Sequence, residues 1–282
     1  MSIVLIGNFD GLHRGHQVLI EKALQLKGSQ NLPILVLTLT PHPRGAPRLM
    51  TDLQKEQGLR SLGVDQVLFQ PFVPEFSSLP PDVFMAQILV SKLKTKHLVI
   101  GSNFVFGHQA SGNRLDLESD PRFETHAIDP VSIGGSVCSS SRVRLAIRAG
   151  NSEQIRELLG HNYALTGTVF RGAGRGKSIG FATANLDVEQ DVLPPHGVYA
   201  VFSPQAGFGA CNIGLRPTLG AHLVPQVETH FLDFDGDLYE QRLEIQFQKR
   251  IRDEQKFASV EALQEQIRRD IQDIKLGISL GM

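Results

Sequence analysis

Residues 3 to 16 read Ile-Val-Leu-Ile-Gly-Asn-Phe-Asp-Gly-Leu-His-Arg-Gly-His, and this stretch decides the fold of the first half of the chain. Its four leading apolar residues are typical of a parallel strand that is buried on both faces. Glycines at 7, 11 and 15 then allow a tight turn, and a helical pattern follows that we expect to end at Gly28. A strand, a glycine-rich turn and a helix in direct succession predict an open parallel sheet.

The rest of the first half continues the same alternation of strands and helices. A second buried strand is predicted at residues 34–39, and further strands are predicted at residues 67–69 and 98–100. Thr51 and Gln54 have the spacing of a capping box, which predicts a helix that ends near Gly63. Pro81 suits the first position of another helix. The sequence therefore predicts an N-terminal Rossmann-like α/β domain with an open parallel sheet, which we place at residues 1–160.

The pattern changes near residue 160, where short β-rich segments separated by glycine and proline replace the alternation. Their spacing predicts a small β-barrel built from segments that include residues 197–202, 210–213, 227–234 and 243–247. Asp235-Gly236 fits a hairpin turn after the third of these segments. From Ser259 onward apolar residues recur at helical intervals, which predicts one amphipathic terminal helix packed on the barrel. We place this second domain at residues 161–282.

The composition argues against several classes of protein. The 282-residue chain has 28 basic and 29 acidic side chains and a formal net charge of -1, so we expect neither nucleic-acid binding nor a polybasic membrane anchor. No apolar run reaches the roughly 18 residues of a membrane span, and no basic signal-peptide region opens the chain. Cys138 and Cys211 are expected as buried thiols in a reduced cytoplasm. We expect small-molecule partners and a monomer or weak homo-oligomer.

The turn at residues 7 to 16 has the chemistry of a phosphate site. A helix N-terminus presents free N–H groups and a partial positive charge. His13 and His16 are three residues apart, so both imidazoles lie on one helix face, where they can donate hydrogen bonds to phosphoryl oxygens. One alternative is a pair of surface or turn-capping histidines. Another is a zinc site, for which the sequence offers no obvious third ligand at metal spacing.

In the second half, residues 172 to 185 read Gly-Ala-Gly-Arg-Gly-Lys-Ser-Ile-Gly-Phe-Ala-Thr-Ala-Asn. A P-loop would need glycine at position 171, where the chain has Arg171, and a helix after Ser178, where the pattern is β-like. Thr183 and Asn185 are two residues apart, so on an extended chain their oxygens face the same way and suit Mg²⁺. The alternative for this pair is a strand-end turn.

The first motif, Gly-x-Phe-Asp-Gly-x-His-x-Gly-His, resembles the signature of the nucleotidyltransferase half of bacterial bifunctional riboflavin kinase/FAD synthetases. Three further matches follow in the expected order: Pro41-His-Pro43, Gly101-Ser-Asn-Phe-Val-Phe-Gly107 and Ser139-Ser-Ser-Arg-Val-Arg144. The resemblance implies that ATP binds at the first motif, with nucleotide contacts from Gly7, Phe9, Asp10, Gly11 and Gly15.

The later matches imply the rest of that site. Ser139, Ser140, Ser141 and Arg144 would close over the phosphates, as hydroxyl donors at a helix start and a fixed cation. Asn103 and Phe104 would lie near the flavin. Asn103 stands where the family usually has aspartate and Ser141 where it usually has threonine, so a metal-ligand role for Asn103 is not expected.

The second half resembles the flavokinase signature of the same family, usually G-R-x-L-G-F-P-T-A-N. The family segments after it match in order at residues 197–199, 212–218, 228–234 and 237–239. The resemblance implies nucleotide contacts from Gly174, Lys177 and Gly180, Mg²⁺ on Thr183 and Asn185, and Glu228 as general base. The alternative for a single glutamate is a solvated strand residue. Ala182 replaces the usual proline and Glu240 the usual glycine.

The two halves differ in the way that their expected reactions differ. A kinase that acts on an alcohol uses a carboxylate base, whereas the phosphate of FMN is already ionised and needs only positioning and charge stabilisation. We therefore expect riboflavin + ATP → FMN + ADP in the C-terminal domain and FMN + ATP → FAD + pyrophosphate in the N-terminal domain, both with Mg²⁺. The alternatives are an adenylyltransferase for another phosphorylated small molecule with a vestigial second domain, and a non-catalytic flavin-binding sensor.

Overall fold

A computed structural model describes residues 1–172, 179–217 and 223–280 of the chain. The chain forms two compact units, Met1–Val143 and Arg144–Met282. Gly174 and Lys177, expected at a nucleotide site, lie outside the described residues. The domain boundary placed at residue 160 stays a prediction.

The first unit contains a five-stranded parallel sheet, as the sequence predicts. Its strands are β1 (Ser2–Ile6), β2 (Ile34–Thr40), β3 (Gln66–Pro71), β4 (Thr95–Gly101) and β5 (Glu124–Ile128). Their spatial order is β3-β2-β1-β4-β5. The order therefore reverses between β1 and β4, and in open α/β sheets ligands bind beyond the carboxyl ends of strands at such a switch point.

Helices connect these strands. They are α1 (Arg14–Gln30), α2 (Asp52–Ser61), α3 (Pro74–Ser77), α4 (Pro81–Val83) and α5 (Arg114–Glu118), and α4 continues directly as π-helical turns at Phe84–Lys92. A 3₁₀ turn at His108–Ala110 and a small pair of strands, β6 (Ser132–Ile133) and β7 (Ser136–Val137), complete the connections. The helix α6 (Ser140–Arg148) begins in the first unit, and α7 (Ser152–Leu159) follows it.

Both faces of the parallel sheet are covered. On β1, Val4 and Ile6 belong to one buried cluster, and Ile3 and Leu5 belong to a second on the opposite face. This alternation confirms that the apolar run is a strand buried on both sides. The capping box is also confirmed: the Thr51 hydroxyl accepts from the Gln54 amide at 3.1 Å.

The predicted end of α1 is wrong. The helix passes through Gly28 and ends at Gln30, and Asn31 then takes the left-handed conformation with φ of 51°. Its N–H donates to the Lys27 carbonyl at 2.9 Å. Asparagine is one of the few residues that adopt this conformation readily, and it can therefore end a helix as glycine often does.

The second unit is a closed six-stranded antiparallel barrel, which confirms the predicted fold class. Its strands are β8 (Ala164–Phe170), β9 (Ala184–Val188), β10 (Gly197–Ser203), β11 (Gly207–Pro217), β12 (Leu223–Phe231) and β13 (Arg242–Arg252). Their order around the barrel is β10-β11-β12-β9-β8-β13. Because β12 lies between β11 and β9, and β13 pairs with β10 and β8, the predicted hairpin at Asp235-Gly236 is wrong. This segment instead connects two strands that are not neighbours.

The terminal helix α8 (Val260–Ser279) begins after Ser259, as predicted. It is joined to β13 by a buried ion pair in which Arg252 donates to the Asp270 carboxylate at 2.9 and 2.8 Å. Gln266 donates to the same carboxylate at 2.9 Å. The Asp270 side chain is 4% exposed, so its charge is neutralised and hydrogen-bonded within the fold.

The structure bears on the expectations about membrane spans and about the two cysteines. Among the described residues, no helix is long and apolar enough to cross a membrane. Cys138 and Cys211 are both buried and unbridged, as expected. Burial raises the pKa of the Cys211 thiol to about 12, so this thiol stays protonated near neutral pH.

Candidate active sites

The first motif follows the carboxyl end of β1 and turns the chain into α1. The turn uses three positive φ angles, at Phe9 (49°), Gly11 (85°) and Leu12 (44°). His13 occupies the N-cap position of α1 in an extended conformation, and its side chain makes no capping hydrogen bond. The His13 side chain therefore does not close the helix end.

His13 and His16 form a stacked pair. Their ring centroids are 3.7 Å apart and their planes differ by 19°. The ring of Phe9 packs against His16 with centroids 5.1 Å apart. Gly15 lies close beside them: a Cβ at this position would lie 3.1 Å from the His13 ring, so a larger residue here would displace the ring. The expectation that both imidazoles lie together at the helix start therefore agrees with the geometry.

The surroundings of His16 favour its neutral form. Burial, together with the neighbouring His13 and Lys55, holds the pKa of His16 well below its usual value of 6.5. Its Nδ1 is buried and has no hydrogen-bond partner among the described residues, and the same holds for Oδ1 of Asn8. Buried polar atoms without partners are rare in proteins, so both are suited to a bound ligand.

Lys55 is a candidate that sequence reasoning missed. It lies on α2 and is only 6% exposed. Burial lowers its pKa, while Asp10 and Asp52 raise it and Arg48 lowers it further. Its Nζ lies 3.4 Å from the Thr38 hydroxyl, which itself donates to the Asn8 carbonyl at 3.1 Å. A buried ammonium near the motif suits an anionic ligand, but a helical lysine looks solvated in sequence alone.

Asp10 and Phe9 contribute to the site indirectly. The Asp10 carboxylate accepts from the Leu49 backbone amide at 3.0 and 3.2 Å, and the Asp10 carbonyl accepts from the Ser140 hydroxyl at 2.8 Å. Phe9 has no exposed surface. The geometry therefore gives Asp10 a role in fixing the turn and Phe9 a role in supporting His16.

The start of α6 lies against the motif. The Cys138 carbonyl would be 3.5 Å from a Cβ at Gly15, and Ser140 contacts Asp10 as described above. Ser139 accepts from the Arg142 amide at 3.3 Å, and Ser141 is exposed. Ser140 therefore connects the N-terminus of a second helix to the first motif, whereas Arg144 is a buried residue at the start of the second unit.

The loop after β4 lies at the same sheet edge as the motif, because β1 and β4 are parallel neighbours. Asn103 is exposed in this loop. Phe104 is half-buried and stacks on Phe106, with ring centroids 6.0 Å apart and planes within 9°. The loop therefore presents an exposed amide next to an aromatic pair, and the placement of Asn103 and Phe104 near the flavin stays a prediction.

In the barrel, three polar residues lie side by side on adjacent strands. Glu228 on β12 pairs in register with Asn185 on β9 and with Asn212 on β11. Val227 and Thr229 are buried on the other face of β12, so Glu228 projects to the face opposite them. The structure thus brings together Glu228 and Asn185, which the sequence places 43 residues apart.

Gln226 joins these two residues, and sequence reasoning missed it. Its Nε2 donates to Asn185 Oδ1 at 2.8 Å and to Glu228 Oε1 at 2.5 Å. Gln226 and Glu228 share a face because they are two residues apart on β12, but only the register with β9 shows that Asn185 lies beside both. The only signal in the sequence was the two-residue spacing of Gln226 and Glu228, which places both side chains on one face of a strand.

The segment before β9 is held at two points. The Gln264 amide donates to the Ile179 carbonyl at 3.0 Å, and His230 Nδ1 lies 2.8 Å from the Ala182 carbonyl. Thr183 is partly exposed directly before β9, and Asn185 is 5% exposed. Gly172 approaches Asn185 so closely that a Cβ would lie 2.5 Å from its amide. Gly180, with φ of 87°, lies in the same segment.

Comparisons with known proteins match both units. Residues 1–142 match the family model of FAD synthetase, and residues 159–276 match that of riboflavin kinase. The bifunctional riboflavin kinase/FMN adenylyltransferase of Listeria monocytogenes is 36% identical over 97% of this chain and 91% of its own length. The protein of the same name from Escherichia coli K12 is 37% identical over 95% of this chain and 90% of its own.

A crystal structure from Streptococcus pneumoniae, described as a macrolide-efflux protein, shares the fold. It is 29% identical, with a TM-score of 0.87 over 97% of this chain and 93% of that one. The two family models together with the full-length relatives show that the chain belongs to the family of bifunctional riboflavin kinase/FMN adenylyltransferases.

Proposed function

We propose that the barrel phosphorylates riboflavin to FMN through Glu228 and that the first motif adenylylates FMN to FAD through His13 and His16. ATP is a substrate of both reactions: the first releases ADP and the second releases pyrophosphate. The observation that carries the residue assignment is the contrast between the two sites. The barrel places a carboxylate next to amide oxygens, whereas the first motif places imidazoles and helix N-termini together.

In the kinase reaction, Glu228 accepts the proton of the riboflavin 5′-hydroxyl as the oxygen attacks the γ-phosphorus of ATP. A carboxylate is suited to this step because the alcohol must lose its proton as the new P–O bond forms. Gln226 holds the Glu228 oxygen at 2.5 Å and thereby fixes the direction of the carboxylate. The hydroxyl binds to the carboxylate, whose two oxygens together can accept several hydrogen bonds.

Asn185, which pairs in register with Glu228, and Thr183, two residues before it, fit Mg²⁺. Thr183 and Asn185 offer a hydroxyl and an amide oxygen, which are hard oxygen ligands of the kind this cation takes. Asn185 Oδ1 accepts one hydrogen bond from Gln226 and retains a second lone pair. Bound there together with ATP, the ion would neutralise charge on the phosphate oxygens. Gly180, with Gly174 and Lys177 in the segment outside the described residues, would contact the nucleotide.

In the adenylylation reaction, the phosphate of FMN attacks the α-phosphorus of ATP and pyrophosphate leaves. No base is needed because this nucleophile is already ionised near neutral pH. His13 and His16 donate to the phosphoryl oxygens as charge develops, and the N–H groups at the start of α1 and of α6 face the same anion. Lys55 adds a buried positive charge, and Arg144 stabilises the leaving pyrophosphate.

The flavin of FMN is positioned by the loop after β4. Phe104 offers a ring face for stacking, and Asn103 offers hydrogen bonds to the polar edge of the isoalloxazine. Asn103 keeps this hydrogen bonding without the negative charge of aspartate. This loop lies at the switch point of the sheet, where the reacting phosphate of FMN can reach the first motif.

Product chromatography tests the pair of reactions. The full chain incubated with riboflavin, ATP and Mg²⁺ should form FMN first and FAD second. One ADP should appear for each riboflavin phosphorylated and one pyrophosphate for each FAD formed. Starting from FMN, it should form FAD without ADP. Accumulation of FMN without FAD would contradict the role of the first motif, and absence of both FMN and FAD would contradict the role of the barrel.

We further propose that the protein acts in a reduced cytoplasm as a monomer or weak homo-oligomer. Two buried, unbridged cysteines are stable in that compartment. Light scattering after size-exclusion chromatography measures the mass: a peak near the chain's 31.0 kDa agrees, and a stable larger species at low concentration contradicts it.

A further inference from the structure

Two histidines and a glutamate meet at the edge of the parallel sheet opposite the first motif. His97 lies near the start of β4, and Glu124 and His126 lie on the neighbouring strand β5. His97 is in register with Glu124, and Val99 with His126, so the three side chains project from one sheet face. His97 precedes the last residue of β4 by four positions, which corresponds to about 13 Å along a strand. The cluster is therefore separate from the reactive edge.

Two ring nitrogens and the two carboxylate oxygens of Glu124 lie at the spacings that neighbouring ligands of a tetrahedral cation have. His97 Nδ1 lies 3.2 Å from His126 Nε2 and 3.3 Å from Glu124 Oε2. His126 Nε2 lies 3.5 Å from Glu124 Oε1. Zinc–ligand bonds of about 2.0–2.1 Å at tetrahedral angles place neighbouring ligand atoms about 3.3 Å apart. An ion would thus fit without a rearrangement of the strands.

Gln30 orients the central ligand. At the end of α1, its Oε1 lies 3.1 Å from His97 Nε2 and accepts the proton of that nitrogen. A neutral imidazole that is protonated at Nε2 presents a bare lone pair at Nδ1, which is the atom that faces His126 and Glu124. Metal-binding histidines are commonly fixed in this way by an oxygen acceptor on their other nitrogen.

The Glu124 carboxylate lies next to the two histidines. Among the described residues it makes no ion pair with a lysine or arginine, whereas its neighbours Asp120 and Glu118 are paired with arginines. The side chains of His97 and His126 are 4% and 13% exposed, and that of Glu124 is 65% exposed. The cluster is therefore closed on the histidine side and open to water on the glutamate side.

We propose that His97, His126 and Glu124 bind one Zn²⁺ ion, with water from the open side as the fourth ligand. Binding replaces the proton that lies between the two imidazoles: His126 takes the tautomer protonated at Nδ1 and gives its Nε2 lone pair to the ion. No net proton is released. Because His97 belongs to β4, and Glu124 and His126 to the edge strand β5, the ion cross-links these two strands and stabilises them. The hydrogen bond between Gln30 and His97 connects the ligand set to α1.

The test uses the full chain, stripped of metal with a chelator and then titrated with Co²⁺, which reports its geometry by visible absorption. We expect one equivalent to give the intense bands of four-coordinate Co²⁺ and Zn²⁺ to abolish them by displacement. Zn²⁺ should also raise the melting temperature of the metal-free protein. Weak six-coordinate absorption alone, or no change in melting temperature, would overturn the proposal.

Variants assign the signal to these residues. His126→Ala and Glu124→Gln should lose the four-coordinate bands, and Gln30→Met should weaken binding by about tenfold. His161→Ala removes an exposed histidine elsewhere, and His16→Ala removes the histidine pair of the first motif; both should retain the bands. Circular dichroism of each variant reports folding. Bands that survive in a folded His126→Ala, or that disappear in His16→Ala, would assign the metal to another place.

Discussion

The imidazole rings of His13 and His16 stack at the start of α1, with their centroids 3.7 Å apart. Two protonated imidazoles would repel each other at this distance, so stacking agrees with the lowered pKa of His16. A neutral imidazole can still donate one hydrogen bond. The pair can therefore contact phosphate oxygens near neutral pH and hold more positive charge when a polyphosphate is bound.

The first prediction concerns His16 in adenylylation. Replacing it by alanine removes a donor that acts on charge developing at phosphorus, so we expect kcat for FAD formation from FMN to fall by about 10²–10³-fold. The phosphorylation of riboflavin should stay within twofold of the unsubstituted protein. His161→Ala, at an exposed histidine, is the control and should change neither rate. Equal loss of both rates in folded His16→Ala would mean that the two reactions do not have separate sites.

The second prediction concerns stability and pH. The pKa of His16 is lower in the folded protein than in the unfolded chain, so between the two values the unfolded state binds more protons. Stability should therefore fall as pH decreases below about 6.5, by up to about 1.4 kcal/mol per pH unit from this residue. Urea unfolding of the unsubstituted protein and of His16→Gln, compared at about pH 7.5 and about pH 5.5, measures this contribution.

Other titrating groups remain in both proteins, and their contributions cancel in the comparison. His16→Gln should lose about 1 kcal/mol less than the unsubstituted protein between the two pH values. An equal loss in the two proteins would show that His16 titrates alike in the folded and unfolded states.

Local signals in the sequence predicted much of the fold. The capping box at Thr51 involves atoms only three residues apart, and the apolar run of β1 needs no partner to be recognised. The end of α1 was misplaced because glycine and asparagine both tolerate the left-handed conformation, and the sequence alone does not show which of them ends the helix. The turn at Asp235-Gly236 was misread because strand order is a non-local property.

The residues of the candidate sites also divide into those that local spacing indicates and those that depend on contacts distant in sequence. His13, His16, Thr183 and Asn185 could be predicted because their motif spacing lies within one segment. Lys55 and Gln226 could not, since each gains its role from burial or from a neighbouring strand. Glu124 and His126 show the same limit: the third ligand of their cluster is 27 residues away on β4, and only the parallel register brings it close.

The third prediction concerns the attachment of α8 to the barrel. Asp270→Ala leaves the partly buried guanidinium of Arg252 without its counter-charge, so the free energy of unfolding should fall by about 2–3 kcal/mol, below the cost for a fully buried pair. Asp273→Ala removes an exposed aspartate from the same helix and should change it by less than about 0.5 kcal/mol. Chemical denaturation followed by far-ultraviolet circular dichroism measures both. An equally small change in the free energy of unfolding for both variants would show that the ion pair between Arg252 and Asp270 does not stabilise the attachment of α8.

The fourth prediction concerns Glu228 as the base. Glu228→Gln keeps the size of the side chain and removes its ability to take a proton, so phosphorylation of riboflavin should fall by about 10²–10⁴-fold. FMN adenylylation should remain nearly unchanged. Glu244→Gln is a matched control, because Glu244 also accepts from a glutamine two positions away, at 2.9 Å, on β13. Phosphorylation by Glu228→Gln at more than a tenth of the original rate would contradict the assignment.

The last prediction separates positioning from mere structure at Gln226. Gln226→Met keeps the length of the side chain but removes the donor shared by Asn185 and Glu228, so kcat of phosphorylation should fall about tenfold. A carboxylate that loses an N–H donor also keeps its proton to higher pH, so the acid limb of the pH–rate profile should move upward. Gln246→Met removes the equivalent glutamine–glutamate hydrogen bond on β13 and should alter neither quantity. If Gln226→Met slows the reaction without moving the acid limb, Gln226 supports the barrel but does not set the proton affinity of Glu228.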